Sequence, residues 1–339
     1  MKNLKKRIKL ASNERKVIFK NFQSPGDLLM LSAAIRDLKL SHKNIFIDVR
    51  TPCDGIWENN PYLTNLNDKD EDIEIFQIEY PLIHNSNEGQ YHFIHGFRKD
   101  MEEKLDVVIK PTKFKGDIHI SNTEKSWISQ VEEMGVKDKF WIINAGGKTD
   151  FSCKWPNPLY MQEVVDHFKG KITFVQIGEG GNHWHPRLNN VIDLIGKTNL
   201  RELIRLVYHS SGVLCPVTLV MHLASAVESK HRLLTRPCVV LNGGREPNIW
   251  EAYPGHQFLH RMLPCSDCGG CWKSRANKIG DGDTKDNDDE LCLYPEEINY
   301  EYKNGKKLNI ARCINLIKPQ DIIRAIETYY EGGVLEYNK

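Results

Sequence analysis

The sequence predicts an α/β protein made of two Rossmann-like domains facing a cleft. Three observations carry this. Apolar runs of strand length alternate with amphipathic runs of helical length. Glycine-bearing turns punctuate them. The alternation occurs twice, with a break near residues 132–139. The chain has 339 residues, more than one compact core usually holds, so two domains also suit the length.

The first domain is assigned residues 1–135. "RKVIFKNF" (Arg15 to Phe22) reads as a short buried strand, "QSPGD" as a turn and "LLMLSAAIRDLKL" as a helix. "NIFIDV" follows as a second strand, completing a βαβ unit. "IEIFQIEY" reads as a further strand, and "YHFIHGFRKDMEEKL" as a helix carrying His92 and His95, which are given core or surface roles. The second domain is assigned 136–339. It opens with the strand "KFWIINAGG", followed by the helix "PNPLYMQEVVDHF" and the strand "KITFVQIGEGG". Helix "NLRELIRLVYHS", strand "GVLCPV", helix "TLVMHLASAVES" and strand "PCVVLNGG" continue the pattern. Beyond "GGREPNIWEAYPGH" neither period persists until "KPQDIIRAIETYYEGG", a closing helix with Pro319 in its first turn and Gly332 at its end.

Composition excludes several function classes. The net charge is +1, which gives no global pull toward nucleic acid. No apolar run reaches the ~18 residues of a membrane-spanning helix. The N-terminal basic residues Lys2, Lys5, Lys6, Arg7 and Lys9 have no apolar core behind them, so a signal peptide is not expected. A cytoplasmic protein follows, with peripheral contact at the inner membrane face as an extension suggested by that basic cluster. Structural disulfides are not expected there.

In open α/β sheets, ligands bind at the carboxyl ends of strands. Those ends here read "SPGD", "NAGGKTDFSCKWP", "IGEGG", "CPVT" and "LNGGREP". None matches the dinucleotide or P-loop glycine fingerprints. A diphosphate held by backbone amides and one or two lysines still suits them. Asp27 reads either as a helix-capping acid or as a general base. Lys148 and Lys154 are solvated charges or diphosphate ligands. Thr218 and His222 open a helix whose amides suit phosphate, the alternative for His222 being a satisfied core histidine. Asp281 and Asp283 form a D-x-D within a charge run, and a solvated loop is the expectation there.

Five of the nine cysteines fall in the last quarter of the chain. Cys265, Cys268 and Cys271 have knuckle spacing, because two intervening residues let neighbouring thiolates reach one ion. Cys292 and Cys313 supply further ligands. Four of these five would hold a structural zinc or iron ion and staple a Cys-rich insertion at 264–313. Buried free thiols are the alternative.

The order of these segments resembles the glycosyltransferase family that contains the ADP-heptose:lipopolysaccharide heptosyltransferases, glycosyltransferase family 9. The matching pieces are "PGDLLMLSAAIRDLK", "ENNPYL", "CKWP", "IDLIGKTNLRELIRLVYHSSGVLCPVTLVMHLASAV" and "REPNIWEAY". Val217 stands where that family usually has Asp, and Leu219 where it has Gly. The cysteine segment resembles the subgroup that heptosylates autotransporter adhesins and binds iron through cysteines.

The resemblance implies a GT-B fold and an inverting transfer of a sugar, by default heptose. The donor would be a nucleoside diphosphate, ADP by default. The acceptor would be a hydroxyl on a glycan, a lipid-linked glycan or a protein. It implies Asp27 as base and Lys154 as stabiliser of the leaving diphosphate. It implies donor contacts at Gly26, Gly147, Lys148, Thr218, Leu219 and His222, with no metal needed for donor binding. One rival is a nucleic-acid- or protein-binding module on the cysteine knuckle, using Lys273, Arg275, Lys278 and Trp272. Another is a non-catalytic homologue that binds a nucleotide sugar without turnover.

Overall fold

The computed structural model describes residues 14–80, 91–266, 269–302 and 305–338. Cys268 and the basic N-terminal cluster lie outside them. The chain divides into two compact units: residues 14–80 with 93–121, and residues 91–92 with 122–338.

The first unit carries a three-stranded parallel sheet in which β1 (Arg15–Lys20) lies between β2 (Ile45–Arg50) and β3 (Ile73–Gln77). Helix α1 (Pro25–Ser41) joins β1 to β2, and α2 (Gly96–Leu105) follows a short 3-10 turn after β3. Val17, Ile18 and Phe19 of β1 are wholly buried, as expected of a central strand covered on both faces. In a β2-β1-β3 order the chain switches sides between β1 and β3, so their carboxyl ends frame the natural ligand crevice.

The second unit is built on a six-stranded parallel sheet. Its strands are β4 (Phe140–Ile143), β5 (Thr173–Gln176), β6 (Ile192–Asp193), β7 (Gly212–Pro216), β8 (Cys238–Gly243) and β9 (His256–His260), in the order β9-β8-β7-β4-β5-β6. With β4 counted as first, this is the 3-2-1-4-5-6 order of doubly wound folds, and the order reverses between β4 and β7. Helices α3 (Pro158–His167), α4 (Leu200–His209) and α5 (Leu219–Ala226) provide crossovers, and α6 (Pro319–Glu331) closes the unit. In α6, Ile322, Ala325, Ile326 and Tyr329 recur at helical spacing and pack on Trp141, Val164 and Phe168.

Two elements depart from the sequence reading. "HQFLH" forms the edge strand β9, and β10 (Pro295–Glu301) pairs antiparallel with β11 (Lys307–Ala311). That hairpin buries Leu308 and Ile310 in a second apolar cluster with Trp155 and Ile314. Among the described residues no helix is long and apolar enough to cross a membrane.

Candidate active site

Each unit presents its candidate residues at a switch point. In the first unit, Asp27 sits half-buried in the first turn of α1, just past β1. Its Oδ2 accepts the Ser24 backbone N–H at 3.0 Å, and its Oδ1 accepts the Tyr80 hydroxyl at 2.8 Å. Ser24, not Asp27, is the N-cap; Asp27 occupies the third helical position and closes a capping box. Tyr80, just past β3, packs edge-on against Phe93 and Phe97, so the donor that orients the carboxylate is itself fixed. Gly26 shares this first turn. Sequence reasoning missed Tyr80, whose bond to Asp27 spans two loops.

In the second unit, the switch point lies between the loops after β4 and β7. The β4 loop runs through Lys148 to a kinked 3-10 segment, Thr149–Lys154. Trp155, 1% exposed, packs tilted against Trp184 and donates its indole N–H to the Lys148 carbonyl at 3.1 Å, which ties the end of the segment back to its start. Gly147 and Lys148 pair with Trp184 and His183 as a short antiparallel bridge. The neighbouring glycines have a packing reason: a Cβ at Gly146 would lie 2.0 Å from the Trp184 carbonyl, and one at Gly178 2.5 Å from the His185 ring.

After β7, Thr218 is the N-cap of α5 and accepts the Val220 N–H; Leu219 is the first helical residue. His222 is buried and hydrogen-bonded through Nδ1 to the Tyr253 hydroxyl at 2.9 Å. Burial holds it well below the usual histidine range, with His92, Lys154 and His256 adding to the effect, so it is a neutral imidazole. His92 is buried edge-on against Tyr253, and His95 lies beside Phe114 in the first unit.

The acidic run is largely exposed, as expected of a solvated loop, but it is anchored from beneath. Arg275, 0% exposed, binds Asp150, Asp281, Asp283 and Asp286. Asp150, Asp281 and Asp283 bring carboxylate oxygens within 4.8 Å of one another, a spacing fit for a cation, and the guanidinium fills that role. The network holds the β4 loop in place. The Cys153 N–H donates to the Ser274 carbonyl, and the Ala276 and Asn277 N–H groups donate to the Ser152 hydroxyl. It also dismantles the basic patch of the nucleic-acid reading. Arg275 is consumed, Lys273 donates to the Asp289 carbonyl, Lys278 pairs with Asp288, and Trp272 lies under the Arg245 guanidinium.

The cysteines depart from expectation too. Among the described residues no three thiols come within 4.8 Å of one another, so Cys265, Cys271, Cys292 and Cys313 do not form the compact ligand set that their spacing suggests. The Cys292 thiol is held below the usual cysteine range chiefly by Cys153, from the β4 loop. Cys271 and Cys313 lie within electrostatic reach of Cys292, and Cys265 within reach of Cys271. All five are free thiols. Nothing local in the sequence links residue 153 to residue 292.

No family model and no curated protein matches the sequence. Solved structures do match. One is the iron-containing dodecameric glycosyltransferase TibC from enterotoxigenic E. coli H10407, at 16% identity over 95% of this chain and 77% of that one, TM-score 0.62. E. coli ADP-heptose lipopolysaccharide heptosyltransferase II matches at 12% identity over 95% and 100%, TM-score 0.59. A family 9 glycosyltransferase from Veillonella parvula DSM 2008 matches at 14% over 74% and 87%, TM-score 0.54. The chain has the fold of these glycosyltransferases. At such identities the likeness is one of fold, and residue roles rest on the site itself.

Proposed function

We propose that the chain is an inverting glycosyltransferase using a nucleoside-diphosphate sugar, with ADP-heptose as the default donor. The observation that carries this is that Lys154, on the loop after β4, and the N-terminus of α5, after β7, both stand at the switch point of a doubly wound sheet. A lysine beside helix-terminal amides suits a diphosphate, on which negative charge builds as the sugar leaves. The donor choice is supported by a TibC structure solved with ADP-D-beta-D-heptose, at 15% identity and TM-score 0.61.

In this reading Asp27 takes the proton from an acceptor hydroxyl on a glycan, lipid-linked glycan or protein. The hydroxyl oxygen forms a bond to the anomeric carbon as the bond from that carbon to the diphosphate oxygen breaks. Lys154 and the amides after Thr218 receive the charge of the departing nucleoside diphosphate. A thermal-shift panel of ADP, UDP, GDP, CDP and dTDP tests the donor site. ADP at a hundredfold excess over its dissociation constant should add about 2.7 kcal/mol of stability, and Lys154→Ala should remove most of that shift. No shift with any of the five would sink the transferase reading, and a shift with another nucleotide alone would retain it without ADP.

A structural zinc or iron ion is part of the proposal, held by four thiolates from Cys265, Cys268, Cys271, Cys292 and Cys313. Cys153 is a further candidate because its thiol and that of Cys292 perturb one another. Such an ion would fix the segment that carries Arg275 and Trp272. Elemental analysis of protein purified without chelator should find about one equivalent per chain, and Cys292→Ser should reduce it. Metal-free protein with an unchanged melting temperature would refute this part alone.

A further inference from the structure

Lys154 already has an anion. The Glu246 side chain, 2% exposed, places Oε1 2.6 Å from Lys154 Nζ and accepts from Arg245 Nη1 as well. Its Oε2 has no partner among the described residues. Burying a carboxylate is costly unless it is paired, and here one anion is shared by two cations.

The two cations are not equivalent. Arg245 is 4% exposed and turned inward. Its Nε donates to the Lys273 carbonyl at 2.7 Å, and its guanidinium lies 5.2 Å from the Phe151 ring and 5.4 Å from the Trp272 ring. Lys154 keeps 24% of its side chain exposed. It is the member of the trio able to exchange its partner. The turn that presents Glu246 is rigid by construction. Gly243 adopts φ +65°, and a Cβ there would lie 2.7 Å from Ile314 Cδ1. A Cβ at Gly244 would lie 2.6 Å from the Arg261 carbonyl. The Trp272 N–H donates to the Arg245 carbonyl at 3.1 Å, which ties the turn to the cysteine segment.

We propose that Glu246 is the resident counter-ion of Lys154: a positioning residue that holds the ammonium in place in the empty site and yields it to an incoming diphosphate. This rests on the reading of Lys154 as the lysine that meets the donor's diphosphate. Glu246 and the diphosphate then compete for one cation. Neutralising Glu246 strengthens diphosphate binding, whereas a residue that served only the fold would weaken it when altered.

The test is calorimetric titration of the full chain with ADP and, separately, with inorganic pyrophosphate. Glu246→Gln should bind both more tightly than wild type, on the order of tenfold, and with a steeper salt dependence. Lys154→Ala should bind both more weakly. The double variant should match Lys154→Ala, because the gain acts through the lysine. Unchanged or weaker binding by Glu246→Gln, with Lys154→Ala weakened, overturns the counter-ion role and leaves the donor-site reading intact. Wild-type binding by Lys154→Ala overturns that reading, and the counter-ion role with it. Should Glu246→Gln fail to fold, Arg245→Met with Glu246→Gln removes one buried cation together with the anion, and the same gain is expected.

Discussion

Replacing Asp27 by asparagine is expected to slow sugar transfer by about 10³, while costing the fold no more than about 1 kcal/mol. The two numbers separate two roles that the same carboxylate fills. As a capping-box acid, Asp27 accepts the Ser24 N–H through Oδ2 and the Tyr80 hydroxyl through Oδ1. Asparagine has one acceptor oxygen, so it keeps one of these bonds and loses the other. That loss is the ordinary value of one hydrogen bond at a half-buried site. As a base, however, the amide is inert: its oxygen cannot take a proton from an acceptor hydroxyl near neutral pH. A rate that falls with the melting temperature nearly unchanged supports the base. A rate that tracks only the fraction of folded protein would reduce Asp27 to a cap and assign the base to another group. The Tyr80 hydroxyl gives the carboxylate a fixed orientation, which general-base catalysis needs in addition to charge.

How far the sequence led depends on whether a signal is local. The βαβ units were legible because strand period, glycine turn and helix period fall within thirty or so consecutive residues. Asp27, Lys154, Thr218 and His222 stand at strand ends and helix starts that those units define, which is why the sequence singles them out. The hairpin β10–β11 was not, although "PEEINYE" alternates. Its apolar residues Ile298 and Tyr300 stand among glutamates and asparagines, and the face they cover is supplied by Trp155 and Trp184 from another part of the chain. Glu246 was read as one letter of a motif because its partner sits in a different loop. Cys153 escaped for the same reason. Arg275 was misjudged most, since charge can be read from a sequence and burial cannot. It looked like one more cation in a basic patch beside an acidic run, yet the two are halves of one structure.

That structure should fail sharply when its centre is removed. Arg275→Met is expected to destabilise the second unit by about 2–3 kcal/mol at neutral pH, below the ~3–5 kcal/mol for breaking a fully buried pair. The discount is needed because the partners lie just beneath the surface, with side chains 18–40% exposed. The mechanism is repulsion. Methionine fills much of the volume but leaves Asp150, Asp281 and Asp286 facing one another and Asp283, with Lys285 still paired to Asp283. The pH dependence identifies the cause. The Asp281 carboxyl is held below its usual range by Arg275, and Asp283 is lowered to about 2 by Lys285 first, with help from Arg275. Groups whose folded pKa is depressed contribute stability that is complete above the unfolded value near 4 and is lost as pH falls through the folded one. Wild type therefore sheds this contribution between about pH 4 and pH 2, where the variant has less of it to lose. The stability gap should be widest near neutrality and narrow across that window, as measured by urea midpoints at stepped pH. A gap independent of pH would mean that lost packing, not lost charge, explains the effect. Because the same network holds Asp150 and the Ser152–Cys153 backbone, ADP binding should weaken in Arg275→Met even where the protein remains folded. Arg275→Lys keeps the charge but lacks the planar fork that reaches four carboxylates, and should fall between the two. Wild-type stability and ADP affinity in both variants would show that the acidic segment does not govern the loop that carries Lys154.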